Sequence, residues 1–249
     1  MINAANVGTA ASYEEVCRVS VPLETESYWP ITNKDLIDLA RQQAPDLWKE
    51  HYFLSKDKQK MIAYFTPSAS ERSTMEVLAV VNSYNKQVTT KVSLGTAFYD
   101  PTAAAWAGIY DSRHTHTKMR RGKSGWPKFE ALASQLISKR KQFRVEKGWL
   151  WRGISGRAIM DLDEGYSLIG RAMGQRVLSS NQIKVVLKGW DSARPDKRNC
   201  DLMRRLFAIA LLKGDPFKAI DRSLKASQFL FDEASKRSVT PEMWGADEE

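Results

Sequence analysis

The chain has 249 residues, a formal net charge of +9, 43% hydrophobic and 27% charged side chains, which is the balance of an ordinary globular protein with enough length to bury a core without staples. Its two cysteines, Cys17 and Cys200, make neither a CxxC pair nor a disulfide framework and fit a reducing compartment, and no apolar run reaches the roughly 18 residues of a membrane span. The excess positive charge points to an anionic partner, nucleic acid being the commonest, against the plainer alternative of a basic surface kept for solubility.

Residues 1–30 read as an N-terminal arm. The first twelve are rich in Asn, Gly, Thr and Ala and suit a mobile segment. They have neither the positive charge nor the long apolar stretch of a secretory leader, so a cytoplasmic location is expected. Tyr13 to Val21 alternates weakly, with Val16, Val19 and Val21, and is predicted as a strand. Thr32 followed by Asp35 predicts a helix start, Leu36, Ile37, Leu39 and Ala40 supply the apolar side, and Pro45 ends it. Ser55 to Lys58 is a polar break.

Met61–Thr66 and Met75–Tyr84 are predicted strands. The second holds Val77, Leu78, Val80 and Val81 in a continuous apolar run, which calls for cover on both faces. Asn85-Lys86-Gln87 is a turn. From Val88 to Phe98, Val88, Thr90, Val92 and Leu94 alternate with Thr89, Lys91 and Ser93, predicting a half-buried strand with one polar face. Gly95 marks a bulge or a close backbone approach. Residues 100–111 carry no clear signal, and Ser112–Lys118 is a further strand or an extended loop. Pro127 opens a helix to about Arg144 with Phe129, Leu132, Ala133, Leu136 and Ile137 at helical spacing. Helices follow at roughly 157–178, 181–190, 199–213 and 216–235, with Ser180 or Asn181 and then Asn199 as caps. The predicted class is α+β: an antiparallel sheet containing a β-hairpin, with a long helix, in the first half, and a helical second half. The expected units are the arm, an α+β core at 31–147, a helical region at 148–237 and an acidic tail at 238–249.

The charge is concentrated. Between Ser112 and Arg157 lie thirteen Lys and Arg against two Glu, more than the whole chain's excess. Trp126, Phe129, Phe143, Trp149 and Trp151 are interleaved with them. Cations that neutralise phosphates beside aromatic faces that stack on bases are what single-stranded nucleic acid binding requires. The alternative makes Phe129 and Phe143 core, the tryptophans packing anchors and the charges a solvated face. The candidate contacts are Lys91, Arg113, His114, His116, Lys118, Arg120, Arg121, Lys123, Trp126, Lys128, Arg144, Lys147, Trp149, Trp151 and Arg152. His114 and His116 share a side if extended, yet only Asp111 accompanies them, short of the three or four ligands a metal needs. Asp161, Asp163 and Glu164 form an acidic knot. It reads either as a Mg²⁺ ligand pair of a nuclease or, the stronger reading, as favourable charge in the first turn of a helix. No phosphate loop, dinucleotide fingerprint, nucleophile elbow or zinc spacing occurs, and neither catalysis nor a cofactor is expected.

Asn82-Ser83 before a hairpin, Gly95 and Phe98 on the next strand, and Arg113-His114-Thr115 leading toward a long helix resemble the phage- and plasmid-encoded family known as DUF932. The resemblance covers about a third of the chain. Tyr99-Asp100-Pro101 departs from it, where the family usually has a Cys and an Asn-Gly. Membership implies a mobile-element origin. The order of three strands and a helix is also similar to the core of ring-forming single-strand annealing proteins, which implies a basic groove continued between subunits. The expected function is therefore a phage-type DNA-binding protein, acting as a homo-oligomer, that holds single-stranded DNA and anneals or protects it in replication or recombination. The alternative is a protein-interaction factor of a mobile element, using Trp190, Phe207, Phe217, Phe229, Phe231 and Trp244 of the helical half for a host or replication partner.

Overall fold

A computed structural model describes residues 9–25, 30–47, 49–67, 74–98, 107–116, 125–139, 160–211, 217 and 219–238. Its strands are β1 (Thr9–Ala11), β2 (Lys49–Leu54), β3 (Lys60–Thr66), β4 (Thr74–Ser83), β5 (Thr90–Phe98) and β6 (Ala107–His116). They form one antiparallel sheet in sequence order, each strand beside the next. The described helices are α1 (Tyr13–Cys17), α2 (Asn33–Gln43), α3 (Gly125–Ser138), α4 (Leu162–Gly174), α5 (Ser180–Asp191), α6 (Cys200–Leu211) and α7 (Ala219–Ser238). The architecture is α+β, with a helical second half following the sheet.

Alternation along the strands sorts their side chains onto two faces, and both are covered. On the first face Tyr52, Ala63, Phe65, Leu78, Val80 and Leu94 pack against Leu36, Ile37 and Ala40 of α2 and Phe129, Ala133 and Ile137 of α3. On the second, Phe53, Ile62, Tyr64, Val77, Ala79 and Val81 pack with Val88 and with Phe217, which lies just before α7. Val77 to Val81 are all fully buried, as their unbroken apolar run requires. Burying each of the valines and the leucine in it is worth about 1.5–3 kcal/mol. The register of β4 and β5 pairs Val80 with Val92 and Val81 with Lys91 without a break, while the β5–β6 pairing shifts at Leu94/Gly95, where β6 carries one extra residue, Asp111, as a bulge opposite the glycine.

The N-terminal arm differs from expectation. Thr9 to Ala11 pair with Tyr52 to Leu54, and Tyr13 to Cys17 are helix, not strand. The reason is local: the Ser12 hydroxyl accepts from Glu15 N at 3.2 Å while the Glu15 carboxylate accepts from Ser12 N at 2.7 Å. This reciprocal cap fixes the first turn, and Val16, wholly buried, docks it on the first-face core. Residues 49–54 are a further strand that their aromatic and charged mixture did not reveal. Thr32 caps α2 as expected, accepting from Asp35 N at 3.0 Å.

The helical half has its own core. Trp190, fully buried, donates its indole N–H to the Leu162 carbonyl at 3.3 Å, placing the end of α5 beside the start of α4. Gly165 makes this possible, since a Cβ there would sit 2.1 Å from the indole. The cap of α5 is Ser179, one residue earlier than expected; its N–H and hydroxyl both donate to Gln182 Oε1. Asn199 caps α6, accepting from Leu202 N at 2.8 Å. The junction between the last two predicted helices, at 213–216, and the tail beyond Ser238 lie outside the described residues.

Candidate nucleic-acid interface

The basic segment is anchored on both sides of its first stretch. β6 pairs along its length with β5, ending with His116 opposite Thr90. α3 enters the first-face core through Phe129, Ala133 and Ile137. Lys118, Arg120, Arg121 and Lys123 fall between these two elements, and Arg144, Lys147, Trp149, Trp151 and Arg152 follow α3; all nine lie outside the described residues. Lys128 is in the first turn of α3.

Register decides how the β6 positions are shared. Arg113 stands opposite Ser93 and Thr115 opposite Lys91, while His114 stands opposite Val92 and His116 opposite Thr90. Positions 113 and 115 therefore belong to the second face and 114 and 116 to the first. Positions 114 and 116 fall on one side of the strand, as expected for extended chain, and position 113 falls on the other.

One expected contact is corrected. Lys91 is fully buried, as is Ser93, so β5 has no polar outer face. The cause is distant in sequence. Both residues sit on the second face, where Phe217 packs and where α6 and α7 lie against β6. Lys91 is thus removed from any surface groove, and two positions along the same face Ser93 Oγ has no hydrogen-bond partner among the described residues. Trp126 is partly buried against the first-face core and stacks on Phe129, with ring centroids 5.8 Å apart and planes 24° apart. It is a packing anchor.

Asn82 and Ser83, the pair that opens the hairpin, are structural. Asn82 Nδ2 donates to the Ile31 carbonyl and to Asn33 Oδ1, both at 2.9 Å, and Asn82 Oδ1 accepts from the Thr90 hydroxyl at 2.9 Å. Asn33 in turn donates from Nδ2 to the Val16 carbonyl at 3.2 Å, and its backbone N–H donates to Tyr84 OH at 2.9 Å. The buried network ties α1, the start of α2 and the β4–β5 hairpin together. Ser83 Oγ accepts from Val88 N at 3.3 Å and closes the turn.

The acidic knot is spent on a cap. Asp161 Oδ1 accepts from Glu164 N at 2.7 Å, and Glu164 Oε2 accepts from Asp161 N at 3.1 Å. The aromatics of the helical half are likewise internal: Trp190, Phe207, Phe217 and Phe229 are all buried, the second and fourth stacked at 6.2 Å. They are not available to a partner; the Phe231 side chain and Trp244 lie outside the described residues.

A second polar cluster was not apparent from the sequence. Arg41 donates from Nε and Nη2 to the two Glu50 oxygens, each at 2.7 Å, and its guanidinium lies 4.0 Å from the Tyr13 ring centroid. Tyr52 OH donates to Glu50 as well. Burial opposes ionisation of Glu50, but the bonds from Arg41 and Tyr52 outweigh it and hold the carboxyl below its ordinary range. Burial first, and then the bond to Glu50, push the Tyr52 hydroxyl well above its usual range. The cluster clamps α1 and α2 to β2; its members are spread over three successive elements between Tyr13 and Tyr52, so no local spacing announces it. Among the described residues no group of three or more His, Cys, Asp or Glu could hold a metal ion, and no helix is long and apolar enough to cross a membrane. The chain matches no family model, no curated protein and no solved structure.

Proposed function

We propose that this chain is a phage-type nucleic-acid-binding protein that holds single-stranded DNA and anneals or protects it during replication or recombination, as a non-catalytic homo-oligomer in the host cytoplasm. The observation that carries the reading is the charge block: thirteen cations against two carboxylates within Ser112–Arg157. Its first loop leaves from the end of β6 and returns into α3, two elements held by the sheet and its first-face core. A cation-rich chain held at both ends presents charge to phosphates at a smaller entropic cost than a free tail. The resemblance of Asn82-Ser83, Gly95, Phe98 and Arg113-His114-Thr115 to DUF932 supports a mobile-element origin.

The test is binding of a labelled oligothymidylate across a salt series. Log affinity should fall linearly with log salt, by about 0.7 for each phosphate neutralised on a single strand. Reversing charge at Arg120, Arg121 and Lys123 together should flatten that slope by about 2. Salt-independent binding, or none at low salt, rejects the reading. Duplex and RNA competitors in the same assay define the preferred strand.

A further inference from the structure

One end of the sheet gathers lysines that no linear stretch displays. The β2–β3 turn carries Lys56 and Lys58 and the β4–β5 turn carries Lys86, all three exposed. The turns are neighbours: Tyr84 N donates to the Gln59 carbonyl at 2.8 Å, and Asn85 Nδ2 lies 3.5 Å from Asp57 Oδ2. The next position along this same end is His116, paired with Thr90, where the chain leaves β6 for Thr117-Lys118-Met119-Arg120-Arg121-Gly122-Lys123. Reading across the sheet, the row runs from the first turn to the second and then to the exit into the basic segment.

Lys58 and Lys86 also have left-handed backbone, with φ of 55° and 61°. A residue with a Cβ is disfavoured there, and glycine or asparagine is the usual occupant. The turns are otherwise built for such a residue: Lys58 N donates to the Ser55 carbonyl at 2.8 Å, and Gln87 N to Asn85 Oδ1 at 3.2 Å. Between Lys56 and Lys58, Asp57 accepts from Ser55 Oγ at 2.5 Å and from Gln59 N at 3.1 Å, which fixes the first turn. A lysine held twice in the conformation that suits it least, at adjacent turns beside the most basic stretch of the chain, indicates that the charge itself is wanted.

We infer that Lys56, Lys58 and Lys86 form a phosphate-tracking row at the end of the sheet where the chain leaves β6, continuing the path of a single nucleic acid strand beyond the basic segment of the sequence. The inference rests on the nucleic-acid reading above and extends its footprint onto rigid hairpin turns. The partner is a polyphosphate backbone; the three lysines are on turn tips, and the aromatic of those turns, Tyr84, is buried with its hydroxyl accepting from Asn33 N, so the row reads charge and not base.

The test compares the full-length chain with Lys58→Gly/Lys86→Gly and Lys58→Arg/Lys86→Arg in oligothymidylate binding across a salt series. Each lost phosphate contact removes about 0.7 from the slope and, between 1 M and 0.1 M salt, about fivefold from the affinity. The glycine pair should therefore bind about 25-fold more weakly at 0.1 M salt with a slope about 1.4 shallower, while its melting temperature is unchanged or higher because the backbone strain is relieved. The arginine pair should bind as the parent does. If the parent binds and the glycine pair binds equally with the same slope, the row is overturned while the nucleic-acid reading stands. If the parent fails to bind at low salt, both fall.

Discussion

Asn82 illustrates how much one side chain can organise. Its amide saturates two acceptors and its oxygen takes the Thr90 hydroxyl, all away from solvent. Replacing it with leucine fills a similar volume but leaves those groups unpaired, and the expected loss is about 3 kcal/mol in urea unfolding. Glycines in α4 make a paired test. Gly165→Ala drives a methyl into the Trp190 indole, where the nearest atom is 2.1 Å away, and should cost about 1–3 kcal/mol. Gly170→Ala, five residues on, meets nothing within 4 Å and should stabilise by about 0.5–1 kcal/mol. Equal effects at the two sites would contradict the packing described. At this scale the sequence displayed the residues without their roles. Asn82-Ser83 was visible as a pattern; that Asn82 bonds residues 49 and 51 positions away was not.

Elements were most legible where their signals are local. Thr32 and Asn199 announce their helices because a cap bonds within three residues. The same rule applied to Ser12 and Glu15 would have found α1, but the valines nearby suggested alternation instead. Ser12→Ala should cost about 1 kcal/mol, read as a shift in urea midpoint with unchanged slope. The clamp among Arg41, Glu50 and Tyr52 makes a pH-dependent contribution. The folded Glu50 carboxyl titrates below its ordinary value, so its stabilisation is complete above that value and is lost as pH falls through the lower, folded one. Urea unfolding of the parent should weaken more steeply with acid below the ordinary carboxylate range than that of Glu50→Gln. Parallel curves would show that the bidentate pair contributes nothing measurable.

For the whole molecule, the sheet is the shared element. α2 and α3 cover its first face, and the region of Phe217, α6 and α7 meets the second. A sequence boundary near residue 148 predicts two separable units; the buried second face predicts one cooperative unit. Denaturation followed by tryptophan fluorescence and by far-ultraviolet circular dichroism should give coincident transitions. Two resolved transitions would mean that the helical half unfolds on its own core, built around Trp190 and Phe207.

By itself, the chain's order of residues determined the α+β class, three of the central strands, the bulge at Gly95, the start of α2 and the concentration of charge in Ser112–Arg157. These depend on neighbours within a few positions or on composition, and such signals survive without a fold. Only the tertiary structure decided what covers the second face. It turned the Lys91, Ser93 side of β5 from a solvent face into an interior one, because Phe217, from far along the chain, packs on that face. It also divided Arg113 from His114, and it set Lys56, Lys58 and Lys86 side by side. Strand register and turn proximity are properties of pairing, and pairing partners lie too far along the chain for spacing to reveal them.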